Sequence, residues 1–213
     1  MSSKSVLICL PLSWSMVHRE FLFSWTDMIL HSLSNGFDIQ FVTSDKIYID
    51  LNRELLADIT KDYDVDYIFW VDADQTYPKD TIVKLAKHID EGHLVVTGMT
   101  CDKENGKHLG YTFEPGSRLF SGVDKTPLKT NNGLQKIDCM GFGGVMMSPE
   151  VLKELTKPYF LFMREETIFR DVAHIGEDFV FYWKCKRNGI DVWCDTDLQF
   201  GHLRTETVYS CDR

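Results

Sequence analysis

Apolar runs too short for helices alternate with stretches in which apolar residues recur every third or fourth position. Val6 to Pro11, Tyr67 to Val71 and Leu94 to Gly98 are near-continuous apolar segments, and Phe37 to Thr43 alternates imperfectly. Runs of this length read as strands, and the continuous ones as strands buried on both faces. Between them, Phe21, Leu22, Trp25, Met28, Ile29 and Leu33 carry helical spacing through 17–33, and Asn35-Gly36 ends it with a residue suited to the left-handed cap. Leu51, Leu55, Leu56 and Ile59 mark a second helix, with Asn52 and Arg53 near its start. Pro78 opens a third, whose Ile82, Leu85, Ala86 and Ile89 fit the i, i+3, i+4, i+7 template. The βαβαβαβ order predicts an α/β fold with a mostly parallel central sheet and right-handed crossovers.

The texture changes after Gly98. Residues 101–136 are rich in Gly, Lys, Asp, Asn and Thr, and predict an excursion with short strands at Gly110 to Phe113 and Gln135 to Asp138, a small antiparallel sheet beside the main one. Cys139 to Met147 reads as a Gly-rich apolar strand, and Ser148-Pro149 as the start of a helix. Residues 159–175, which hold Arg164, Glu165, Glu166, Arg170 and Asp171, read as an irregular, mobile loop. Gly176-Glu177-Asp178 opens a helix closed by Asn188-Gly189, and Asp191 to Cys194 is the last predicted strand, followed by Gly201-His202-Leu203.

Composition narrows this picture only modestly. No internal repeat or low-complexity run divides the 213 residues, so a single domain is expected, with a change of texture between 1–98 and 99–213. The polar tail ending Ser210-Cys211-Asp212-Arg213 has no evident cap, which fits a domain taken from a longer polypeptide. A net charge of −9 argues against a surface that coats nucleic acid. Six cysteines without a CxxC pair are expected as free thiols of a reducing, cytoplasmic compartment. Lys4 and the apolar run to Leu12 imitate a signal peptide, but no small-residue cleavage site follows. No run approaches the roughly 20 apolar residues of a membrane span.

Chemistry concentrates where apolar strands run into carboxylates. The chain holds four Asp-x-Asp pairs, Asp62-Asp64, Asp64-Asp66, Asp72-Asp74 and Asp195-Asp197, and only Asp72-Ala73-Asp74 directly follows a fully apolar strand. Ligands of open α/β sheets collect at the carboxyl ends of their strands. Two acids there suit a hard divalent cation and the phosphates it carries. The remaining pairs read as solvated turns. Glu177-Asp178 stands at a helix start, where the helix dipole alone favours acids; a carboxylate there would also serve as a general base. His202 alone reads as a surface or core histidine, and with Asp74 as half of a mixed imidazole–carboxylate metal site.

In this order, the apolar strand with Asp72-Ala73-Asp74, then Gly141-Phe142-Gly143-Gly144, Gly176-Glu177-Asp178 and Gly201-His202, the chain resembles the GT-A nucleotide-sugar glycosyltransferases from Val6 to about Leu203. It is also similar to the amino-terminal glycosyltransferase domains of capsid-glycosylation proteins of large algal DNA viruses. The resemblance implies a UDP-sugar donor, Mn²⁺ or Mg²⁺, and a glycan or glycoprotein acceptor in the host cytoplasm, with a hexose or a deoxyhexose such as glucose or rhamnose transferred. It implies that Asp72 and Ala73 meet the ribose or donor sugar, that Asp74 and His202, with Asp72, form the metal site, and that Pro11, Leu12, Ser13, Thr43, Asp45 and Arg53 hold the uridine side. Gly143 and Gly144 would admit the sugar and acceptor, Asp178, beside Glu177, would be the base, and 1–98 and 99–213 would be the nucleotide-binding and acceptor-binding halves. The stretch 98–136 follows no family pattern.

Two other readings stay open on the residues. Asp72-Ala73-Asp74-Gln75-Thr76 fits the DxDxT motif of haloacid-dehalogenase-type phosphatases, with Asp72 as nucleophile and Mg²⁺ as cofactor, although two βα units precede it here. A non-catalytic nucleotide-sugar-binding module would need the same metal and donor residues and no base.

Overall fold

The computed structural model describes residues 3–12, 16–45, 48–102, 106–113, 123–125, 128–166 and 172–203. Its core is an eight-stranded sheet. Strands β1 (Lys4–Pro11), β2 (Phe37–Ser44) and β3 (Tyr67–Trp70) lie side by side and parallel. They alternate in sequence with helices α1 (Arg19–Ser34) and α2 (Ile49–Ile59). The two-residue strand β4 (Gln75–Thr76) and helix α3 (Thr81–Asp90) then lead to β5 (Val95–Thr100). Beyond it come β6 (Tyr111–Phe113), β7 (Val123–Lys125), β8 (Leu134–Ile137), β9 (Val145–Met147) and helix α4 (Glu150–Glu154). The chain ends with β10 (Met163–Glu166), β11 (Val172–Ile175), helix α5 (Glu177–Arg187) and β12 (Val192–His202).

Because successive strand residues face opposite sides, the apolar run of β1 feeds two cores at once. Leu7 and Cys9 join Val42, Leu56, Ile68 and Trp70 on one side, completed by Phe142, Phe160, Phe181 and Tyr182. Val6 and Ile8 join Phe21, Met28, Phe69, Ile82 and Leu85 on the other. A sheet covered on both faces is why β1 and β3 read as continuous apolar runs. Each fully buried Leu, Ile or Phe here is worth about 1.5–3 kcal/mol of transfer free energy.

The sheet order is β2-β1-β3-β9-β5-β12-β4, with β8 on β12. The sequence reading of three parallel βα repeats gives the right elements but not this order. The short β9 runs antiparallel between β3 and β5, pairing Trp70 and Thr97 to the same Val145. Of the predicted apolar segment 139–147, only Val145–Met147 is strand, since Gly144 (φ 95°) turns the chain just before it. The last strand is far longer than Asp191 to Cys194. It runs on through Asp195 and Asp197, which occupy a bulge, to His202, pairing β5 in parallel and β4 antiparallel. The expected loop at 159–175 holds, within its described part, the antiparallel pair β10–β11. The excursion at 101–136 contributes the antiparallel pair β6–β7, and β8 falls at the expected second strand. Cys9, Cys101, Cys139, Cys185 and Cys194 are free thiols. Among the described residues, no helix is long and apolar enough to cross a membrane.

Candidate active site

Asp72 lies just past β3, beyond the fully buried Val71, and its backbone is fixed by a side chain. The Tyr77 hydroxyl accepts from the Asp72 amide at 3.0 Å and donates to the Asp72 carbonyl at 3.1 Å. Burial pushes the Tyr77 phenol well above its ordinary pKa, so the hydroxyl stays neutral and able to do both. Its ring packs edge-on against Phe69 and Phe200, which ties the clamp to the core.

The Asp72 carboxylate is gripped from the far side by Arg53 of α2. Arg53 Nη2 donates to Oδ1 at 2.9 Å and to Oδ2 at 3.0 Å, while Nη1 donates to Glu177 Oε1 at the start of α5. The guanidinium lies over the Phe142 ring, 5.0 Å from its centroid. The side chains of Arg53 and Glu177 are 5% and 7% exposed, against 23% for Asp72. Asp178 Oδ1 accepts from the Phe179 amide at 2.8 Å, one of the amides that a helix start leaves unpaired. Burial opposes the charge on Arg53, yet Asp72, Glu177 and Asp178 around it hold its pKa above the usual value. Glu177 is pushed up to about 6 by burial, with Arg53 pulling the other way and Asp178 adding repulsion. Asp178 is also raised by burial, again against Arg53. One cation among these acids favours a proton on the Glu177–Asp178 pair at mildly acid pH.

The second half of the site is assembled by the sheet edge. In the β4–β12 pairing Gly201 stands opposite Thr76 and His202 opposite Gln75, and the Leu203 amide donates to the Asp74 carbonyl at 2.7 Å. A Cβ on Gly201 would sit 2.3 Å from Thr76 Oγ1, so a larger residue there would force the hydroxyl to turn away. His202 Nδ1 contacts the Cys101 carbonyl at 2.7 Å, and a carbonyl only accepts, so Nδ1 carries the proton. That leaves the Nε2 lone pair facing Asp74 Oδ2 at 3.8 Å. A fixed second nitrogen is what a metal-ligating histidine requires.

The glycine loop closes on both halves. The Gly144 amide donates to the Trp70 carbonyl at 2.8 Å, which straps the loop to the end of β3. A Cβ on Gly143 would lie 2.4 Å from Gln75 Nε2 and 2.7 Å from Asp72 Oδ2. Asp72, Asp74, Arg53, Glu177, Asp178, Gly143, Gly144 and His202 thus form one constellation beyond the carboxyl end of β3. Ala73, between the acids, is partly buried against the core. Pro11 and Leu12 adjoin the end of β2 through the Leu12 amide and Ser44 carbonyl at 2.8 Å, and Thr43 and Asp45 there are exposed. Ser13 lies outside the described residues.

The other acid pairs stand elsewhere. Asp66 accepts from the Ser5 amide at 2.7 Å, at the opposite end of β1, and Asp62 closes a 3-10 turn leading to it. Asp195 is buried, with Oδ2 3.0 Å from His88 Nε2. Both oxygens of Asp72 engage Arg53 Nη2, a poor state for a nucleophile, which speaks against the phosphatase reading. Sequence reasoning missed Tyr77 and Cys101. Tyr77 left one signal, an aromatic residue in an otherwise polar loop just before Pro78.

Among the described residues, no group of three or more His, Cys, Asp or Glu side chains is placed to hold a metal ion. Asp74 and His202 therefore suit a cation that takes its remaining ligands from a bound phosphate or from water. Arg53 Nε and Gln75 Oε1, buried around the same constellation, have no hydrogen-bond partner among the described residues.

Residues 58–156, which include Asp72-Ala73-Asp74 and the glycine loop, match the model of glycosyl transferase family 2. No curated protein matches the chain. Among solved structures, A197 from STIV is 17% identical, with 98% of each chain covered and a TM-score of 0.59. The S. aureus TarS 1–349 structure, in complex with UDP-GlcNAc, is 14% identical with a TM-score of 0.52; the match covers 96% of this chain and 60% of that one. At these identities the structural likeness speaks for the fold, and the family model for the segment that carries the acids. Together they show a GT-A-type fold for the chain and, at 58–156, a segment that matches glycosyl transferase family 2.

Proposed function

We propose that this chain moves a hexose or deoxyhexose, such as glucose or rhamnose, from a UDP-sugar donor to a glycan or glycoprotein acceptor, in a reaction that needs Mn²⁺ or Mg²⁺. The observation that carries the reading is the meeting, at one strand end, of an Asp74–His202 pair and a partly buried base-side pair, Glu177–Asp178. The complex of TarS with UDP-GlcNAc supports a UDP-sugar as donor.

The roles follow from the chemistry of each group. Asp72, held by Arg53 and Tyr77, presents a fixed carboxylate edge to a ribose or sugar hydroxyl. A divalent cation on Asp74 and His202 supplies positive charge for the departing diphosphate. Pro11, Leu12, Thr43 and Asp45 form the strand-end edge on which the uridine rests, with Ser13 beside them in sequence. Gly143 and Gly144 leave room for the sugar and acceptor to approach the backbone. Asp178 accepts the proton of the attacking hydroxyl as its oxygen bonds to the anomeric carbon and the bond to the diphosphate breaks. Burial raises the pKa of Asp178, which makes its carboxylate a stronger base than an exposed aspartate.

The test is a thermal-shift and calorimetric panel of nucleotide sugars with and without Mn²⁺, followed by transfer assays. Asp74→Ala is expected to abolish metal-dependent donor binding. Asp178→Asn is expected to spare donor binding and lower turnover by about 10²–10⁴-fold. Wild-type donor affinity in Asp74→Ala overturns the metal assignment, and undiminished turnover in Asp178→Asn overturns the base.

A further inference from the structure

Arg53 is placed where a nucleotide-binding arginine would be blocked. Its side chain is 5% exposed, beneath the constellation, with Nη2 on both oxygens of Asp72 and Nη1 on Glu177. Its partners come from opposite halves of the site. Asp72 follows β3, on the side proposed above for the donor, whereas Glu177 begins the helix that carries Asp178, 124 residues from Arg53 in sequence. The guanidinium is rigid and planar, so it cannot rotate to follow one carboxylate without breaking its bond to the other. The Phe142 ring, 5.0 Å away, limits sideways movement.

We propose that Arg53 is a positioning residue that couples donor engagement at Asp72 to the placement of the Glu177–Asp178 helix start, rather than a contact to the nucleotide. A donor that fixes Asp72 fixes the guanidinium fork, and the fork fixes Glu177 beside the base. By linkage, a change at Glu177 must then alter donor affinity although Glu177 belongs to the acceptor-side helix. This rests on the donor-binding reading above.

The experiment measures UDP affinity by calorimetry in the presence of Mn²⁺ for wild type, Glu177→Gln, Arg53→Lys and the double variant, with melting temperatures of all four. Glu177→Gln keeps shape and Arg53→Lys keeps charge, so both are conservative choices for folding. Glu177→Gln is expected to weaken UDP binding about five- to tenfold in the wild-type background and to have no further effect in Arg53→Lys. Loss of a negative charge by itself would tighten binding of an anionic nucleotide, so weakening is a readout that electrostatics alone does not give. Tighter or unchanged binding in Glu177→Gln, or the same change in both backgrounds, overturns the coupling. Should Arg53→Lys fail to fold, the sign of the Glu177→Gln effect still decides. Wild-type protein that binds no UDP at all overturns the donor reading, and the coupling with it.

Discussion

Burial works against the charge on Glu177 even with Arg53 beside it. Its carboxyl, pushed up to about 6, keeps a proton in the folded protein over a range in which the unfolded chain has released it. Its contribution to stability is therefore full below pH about 4.5 and is lost as pH rises through about 6. The loss amounts to about 2 kcal/mol. Glu177→Gln cannot titrate, so the stability of wild type relative to this variant should fall by about that amount between pH 4.5 and 7, as read from denaturant titrations. A difference that stays flat or grows with pH contradicts the burial-driven shift. Little of this was legible from residues alone. Asp72, Asp74 and Asp178 announced themselves by following an apolar strand or opening a helix. Arg53 was expected on the uridine side, and its bond to Glu177 could not be read because it depends on α2 and α5 coming together in the fold.

Among the elements, helices and strands with one strong periodic face were readable, and those whose role is set by a neighbour were not. α3 shows its buried face in the sequence, with Ile82, Leu85 and Ala86 fully enclosed. β9 is three residues long, and nothing in Val145-Met146-Met147 says that it slips antiparallel between two parallel strands. β12 was truncated in the reading because Asp195-Thr196-Asp197 has turn composition. In the structure the Asp195 carboxylate is hydrogen-bonded to His88 and accepts from the Asp197 amide at 3.0 Å, so the strand bulges and continues. That continuation is what delivers His202 to Asp74. Where β9 begins, Gly144 has φ 95°, and a Cβ there would lie 2.2 Å from the Phe200 ring. Gly144→Ala should therefore destabilise the protein by about 2–4 kcal/mol, the sum of a left-handed alanine and a displaced core aromatic. Denaturant unfolding measures it, and a cost under about 0.5 kcal/mol would mean that the loop reshapes freely.

For the whole molecule, the relevant quantity is the net charge of −9. The diphosphate of the proposed UDP-sugar donor carries two negative charges, so the field of a protein with this net charge would oppose the bare donor and favour a cation that neutralises it. Arg53, within the site, is enclosed and already shared by Asp72 and Glu177, so it offers little to offset this. Metal dependence would thus be a property of the entire charge distribution as well as of Asp74 and His202. The two contributions separate by salt. Screening lengths shrink from about 30 Å at 0.01 M to about 8 Å at 0.15 M, which removes the distant acids from account but leaves the Asp74–His202 contact unchanged. Mn²⁺ affinity measured in the presence of UDP should weaken at least about threefold over that interval, and Asp74→Ala should lower it at both salt concentrations. Salt-independent affinity would confine the attraction to the two ligands themselves. The surface acids would then have no part in recruiting the metal.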